Sequence, residues 1–197
     1  MEDSSIPETE KLEASSQSRS SNGSKKLVLA SLALMLLLLG WNALVFIPAY
    51  RALSSEDDAA VLVYRHWLVS PSAIVFDVRS IEPNHSMAGM DRMLFKTAEA
   101  LKDQSFDRVI LAHRGTGKFV LPGDYFKVIG ESYEYQNPVY TMRTMQERLQ
   151  KLDGYPAFET WTGGWLGVLG KQLEDHNQFH MRWWVEDEIG PEVLGTN

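Results

Sequence analysis

The chain has 197 residues, with 19 Lys and Arg against 26 Asp and Glu, a formal net charge of -7, and no cysteine. The acidic balance argues against nucleic acid as a partner, because that affinity rests on cations neutralising phosphates. Without cysteine there are no disulfides, no thiolate metal sites and no thiol nucleophile.

Residues 1–26 (MEDSSIPETEKLEASSQSRSSNGSKK) are Ser-rich and charged. They hold too few large apolar side chains to offset chain entropy, so a disordered tail is expected. Leu27 to Ile47 (LVLASLALMLLLLGWNALVFI) carry no charge, and Ser31 and Asn42 are the plain polar interruptions. At 1.5 Å per residue this run makes about 30 Å of helix, the thickness of a bilayer core. It is longer than a signal-peptide core and lacks a small-residue cleavage site after it, so residues 27–48 read as a transmembrane helix of the signal-anchor type. Arg19, Lys25 and Lys26 precede the run, whereas Arg51 follows it and is succeeded by Glu56, Asp57 and Asp58. The bias predicts a cytoplasmic tail and a domain outside the cytoplasm, periplasmic in a bacterium, with Trp41 and Tyr50 at the outer interface.

Residues 52–197 are expected to form that domain, roughly 145 residues and so one ordinary unit. Ser54 or Ser55 can cap a helix with acids in its first turn, running to about Leu68. Ala73–Val78 (AIVFDV) reads as a buried strand. Residues 88–102 have helical spacing, with Met90, Met93, Leu94, Ala98 and Leu101 on one face. Phe106–Ala112 predicts a second strand, Phe119–Leu121 a short one, and a helical turn is expected after Pro122. Tyr140–Leu152 predicts a helix stopped by Gly154, Ala157–Trp161 a further strand, and Gly164–Trp184 a last helix. Strands alternating with helices imply crossovers, hence a small three-layer α/β domain with a short, mostly parallel sheet.

Ligands of open α/β sheets bind beyond the carboxyl ends of the strands. Those ends carry Asp77 and Arg79, then His113, Arg114 and Lys118, then Gly163 and Gly164 before a helix. Brought together, Arg79, Arg114, Lys118 and the 163–164 amides would hold an anion, with His113 as general base and Asp77 orienting it. His176 and His180 share a helical face at a spacing that can bind metal, but Trp165, Leu169 and Leu173 on the same face make core histidines the preferred reading. Gly115-Thr116-Gly117-Lys118 lacks the upstream glycine of a phosphate-binding loop, and no motif implies a cofactor or a metal. Of Trp161, Trp165, Trp183 and Trp184 most are read as core, with docking of Trp183 and Trp184 on a bilayer or a partner as the alternative.

Two fragments, Ile74–Arg79 and Thr162–Trp165, resemble the first strand and a late Gly-Gly turn of rhodanese-like domains. The resemblance would put His113 in the place of that family's catalytic cysteine, so sulfur transfer is excluded. The stretch Gly117–Val139 has no counterpart in it, and the assignment is not adopted.

The sequence therefore leads to a single-pass membrane-anchored protein whose outer domain binds a partner or an anionic ligand, in envelope assembly, sensing or transport support. The alternative is an anchored hydrolase or transferase acting on an anionic substrate. Expected partners are the bilayer and a protein partner or a second copy of the chain, and no nucleic acid.

Overall fold

The computed structural model describes residues 8–56 and 58–189. Residues 1–7 of the expected tail, and Asp57, lie outside them. Helix α1 runs Glu8–Leu53, so residues 8–26 are helical backbone where a disordered tail was expected. Glu, Lys, Leu, Ala, Gln and Arg are good helix formers, and extending an existing helix avoids the nucleation cost. Within α1, Ser24–Leu53 is long and apolar enough to cross a membrane. The chain divides into two compact units at Trp41/Asn42. The last turns of α1 belong to the second unit, where Val45, Ala49 and Leu53, spaced four apart on one stripe, are buried in its core.

The sheet of the second unit has four strands in the order β1-β2-β3-β4. They are β1 (Ala59–Arg65), β2 (Ala73–Ile81), β3 (Arg108–His113) and β4 (Thr116–Pro122). The first is a correction to the expected helix over 54–68. AAVLVYR is rich in β-branched and aromatic residues, and it pairs antiparallel along β2 from Ala59↔Ile81 to Arg65↔Ile74. Only β2–β3 is parallel, and β3–β4 is an antiparallel hairpin, so the sheet is mixed and the mostly parallel arrangement is not found. Among the described residues Ala157–Trp161 forms no strand; Pro156 before it makes an isolated bridge with Gln150, and the Ala157 amide donates to the Leu149 carbonyl at 2.9 Å.

The helices are α2 (Met87–Ala100), α3 (Gly123–Ser132), α4 (Pro138–Thr144), α5 (Trp165–His180) and α6 (Glu186–Ile189). A 3-10 turn, Met145–Arg148, follows α4, and a π turn, Met181–Val185, joins α5 to α6. Ser86 caps α2, its hydroxyl accepting from the Gly89 amide at 2.9 Å.

Side chains alternate across each strand, and the two faces differ. Val63, Ile74, Phe76, Val78, Val109, Leu111, Phe119 and Leu121 join the buried apolar side chains of the helices in one core. The opposite face carries the small cluster Val75, Ile110, Ala112 and Val120, with Tyr64 beside it and no helical residue. Helices thus cover one face, and the expected third layer is not seen among the described residues. Trp183 and Trp184 lie inside the main core at 0% and 6% exposure, in line with the core reading and against the docking alternative. Trp183 stacks on Phe179 at 5.1 Å, and its indole N–H donates to the Ala112 carbonyl at 3.2 Å.

Helix α3 crosses α2 at close range. A Cβ on Gly130 would stand 2.3 Å from the Ala98 carbonyl oxygen, a backbone atom that cannot yield. Gly130→Ala is expected to lower stability by about 1–3 kcal/mol through overpacking, read as a lowered midpoint in thermal unfolding of the full chain.

Candidate functional site

The expected anion site separates into three places. The parallel register sets Asp77 beside Ala112 and Val78 beside His113. Neighbouring residues of a strand point to opposite faces, so Asp77 and His113 face away from one another. Asp77, fully buried, accepts from Arg79 Nη1 at 2.8 Å, the Tyr64 hydroxyl at 3.2 Å and the Gly115 amide at 2.9 Å. Burial, then the Asp77 charge, pushes the Tyr64 hydroxyl above its ordinary pKa. Asp77 therefore clamps the β3–β4 turn rather than orienting His113. That turn needs the clamp. Arg114 and Gly115 both have positive φ, at 49° and 83°, the pattern of a two-residue hairpin turn of the primed kind, which is costly for arginine.

His113, Arg114 and Lys118 do converge, on the helix-covered side, and the chain's own acids meet them there. His113 Nδ1 lies 3.0 Å from Asp187 Oδ2, and Nε2 lies 3.0 Å from Glu188 Oε1. Arg114 donates to Glu188 at 3.0 Å, and Lys118 Nζ stands 2.7 Å from Asp187 Oδ2. The Lys118 hydrogen bond, opposed by burial and assisted by His113, holds the Asp187 carboxyl below its ordinary pKa. His113 is 1% exposed with both ring nitrogens engaged, so it is not free to act as a base in this arrangement.

Gly163 and Gly164 are not part of this cluster. Helix α5 begins at Trp165 and ends at His180, just before the π turn that places Trp183 against Ala112. Its C-terminal end is therefore the one beside the β3 terminus, and its N-terminus lies about 24 Å away along the axis. Near that N-terminus, Trp161 and Trp165 line a cleft with Tyr125, Tyr140, Arg143 and Arg148.

Two arrangements went unpredicted. Asp91, in the apolar stripe of α2, is fully buried between His176 Nε2 at 2.7 Å and His180 Nε2 at 3.1 Å. Three ligand-type atoms within 4.8 Å of one another have the look of a metal site. The donor set fits a hydrogen-bond network instead. The Trp184 indole can only donate, and it donates to His180 Nδ1 at 2.9 Å. His180 Nδ1 is thus an acceptor and Nε2 carries the proton given to Asp91, where a metal would need a lone pair. Burial would raise the Asp91 pKa, but the two imidazoles outweigh it and hold the carboxyl below its ordinary value.

The second is a cavity of about 590 Å³ between the end of β2, the start of α2 and the π turn, lined by Ile81, Pro83, His85, Met87, Trp184 and Ile189 among others. His85 is 7% exposed. Its Nδ1 stands 2.9 Å from Asp58 Oδ2, an ion-pair contact rather than an aligned hydrogen bond, and Nε2 has no partner among the described residues.

Comparison with known proteins finds no matching protein-family model, no matching curated protein and no matching solved structure.

Asp91→Ala leaves the buried His180 and the half-buried His176 without their acceptor and is expected to cost about 1–3 kcal/mol for each unsatisfied donor. Because the folded pKa of Asp91 is depressed, its contribution is full above the ordinary carboxyl value of about 3.9 and is lost as pH falls through the lower folded value. Urea unfolding followed by tryptophan fluorescence should show the full gap between wild type and variant at pH 7, narrowing below about pH 4.

Proposed function

We propose that this is a single-pass membrane-anchored binding protein, its tail cytoplasmic and its mixed α/β domain outside the cytoplasm. The ligand would be a carboxylate-bearing segment of a partner, taken by His113, Arg114 and Lys118. The apolar stretch of α1 and the excess of Lys and Arg before it support the anchoring and the orientation. The observation that carries the binding reading is that two carboxylates of the chain itself, Asp187 and Glu188, already satisfy this cluster. They hang on the four-residue helix α6, which has no buried residue of its own. An acidic partner segment would exchange with α6, and the ligand competes against an intramolecular rival.

Asp187→Asn combined with Glu188→Gln removes that rival. The double variant should bind a fluorescent oligoglutamate peptide more tightly than the wild-type chain in detergent solution, with anisotropy as the readout and with affinity falling as salt rises. Adding Lys118→Glu should abolish the gain. Equal binding by wild type and double variant would remove the reading.

A second reading, an anchored hydrolase or transferase, is favoured by His85. Its Asp58 contact and unpaired Nε2 are the parts of a general base beside a cavity, and Nε2, now buried, would be uncovered by movement of the cavity wall. It predicts that hydrolysis of p-nitrophenyl acetate or p-nitrophenyl phosphate is lost in His85→Ala and kept in His113→Ala. Absence of turnover by the wild-type chain counts against it.

A further inference from the structure

Asn42 interrupts the apolar run Leu27–Ile47 and begins the second compact unit. Its side-chain amide is used twice. Nδ2 donates to the Leu68 carbonyl at 2.7 Å, and Oδ1 accepts from the Arg65 backbone N–H at 3.0 Å. A polar side chain in a membrane-seeking run is tolerable when its donors and acceptor are satisfied by protein, as here. The bonds also fix a level. They hold the loop that follows β1 beside a residue about 7–8 Å inside the end of the apolar run.

That loop is apolar at its tip. Trp67, Leu68 and Val69 are 79%, 53% and 57% exposed. Trp67 and Leu68 both take positive φ, 55° and 62°, which bulky residues avoid and which costs of order 1–3 kcal/mol each. The strain is held by the Asn42 bond and by the Ser70 amide on the His66 carbonyl at 3.1 Å. Its outcome is that a tryptophan and a leucine face solvent side by side instead of turning inward. Burial, with Arg108 nearby, keeps the His66 pKa below its ordinary value, which favours an uncharged loop at neutral pH. On the helix itself, Leu44, Phe46 and Ile47 are also exposed, at 55%, 38% and 41%.

We infer that the loop Trp67–Val69 is a second membrane contact, inserted into the headgroup–acyl boundary of the same bilayer that holds α1. The inference rests on the anchoring proposed above. Insertion of 5–10 Å is the ordinary depth for an interfacial apolar element, and tryptophan is favoured at that level. It also answers a shortage of length. Because Val45 and Ala49 face the core, residues 42–47 offer lipid one face only, and the stretch apolar all round, 27–41, makes roughly 22 Å of helix, short of about 30 Å of hydrocarbon. A domain that sinks its own apolar rim into the interface makes up the difference.

The chain has no cysteine, so a single one can be placed and labelled. Leu68→Cys, Leu34→Cys and Tyr155→Cys, each carrying an NBD fluorophore, are reconstituted as full-length protein in phosphatidylcholine–phosphatidylglycerol vesicles with doxyl-labelled lipids. The expected result is a blue shift and loss of NBD fluorescence at 68 and at 34, with neither at 155. Trp67→Cys, labelled in the same way, should match 68. Quenching at 34 with none at 67 or 68 overturns the inference and leaves the anchor standing. No quenching at any of the three positions overturns both.

Discussion

A carboxylate with no water to solvate it, at Asp91, is the constraint around which the helical layer is organised. An uncompensated buried charge would not survive there, so α5 must deliver His176 and His180 to it from a distance of more than eighty positions along the chain. Trp184 then fixes the His180 tautomer from the π turn, and the residue before it, Trp183, reaches across to the Ala112 carbonyl at the sheet. One ionised group thereby determines the register of α2 against α5, the position of the π turn, and the way the chain arrives at α6. The wider spacing of the π turn suits this task, since it lets two successive tryptophans satisfy different partners, one on the helix and one on a strand.

From that arrival follows the state of the basic cluster. Glu186, Asp187 and Glu188 come straight after the π turn, so the geometry that buries the tryptophans also carries two carboxylates to His113, Arg114 and Lys118. Asp77 serves the same corner from the other face of the sheet by bracing the strained Arg114–Gly115 turn. Both faces of the sheet contribute to one hairpin tip, without sharing a pocket.

Local signals in the sequence were sufficient for β2, α2, β3 and the apolar helix, where run length and periodicity agree. They misled at β1. Two serines followed by acids are a good helix start, and only pairing with β2, a non-local fact, settles AAVLVYR as a strand. The mixed sheet was hidden for the same reason, because strand direction is not written in any one segment. Among the site residues, His113, Arg114 and Lys118 were legible as a group because they flank one hairpin. Their occupants were not, since an EDE run near a terminus reads as a solvated face. Asp91 had left a trace: a lone carboxylate between Met90 and Met93 on an otherwise apolar stripe, matched by two histidines one turn apart. Asp58 and His85 left none, because neither sits in a periodic segment.

Val45, Ala49 and Leu53 make the end of α1 a structural part of the folded unit. A protease cutting after Arg51 would withdraw Val45 and Ala49 from the core and leave voids worth several kcal/mol, and it would take away the Asn42 amide that steadies the loop after β1. Such cleavage would yield a damaged fragment rather than an intact soluble form. Detaching the domain from its helix therefore carries a structural cost that an exposed linker would not impose.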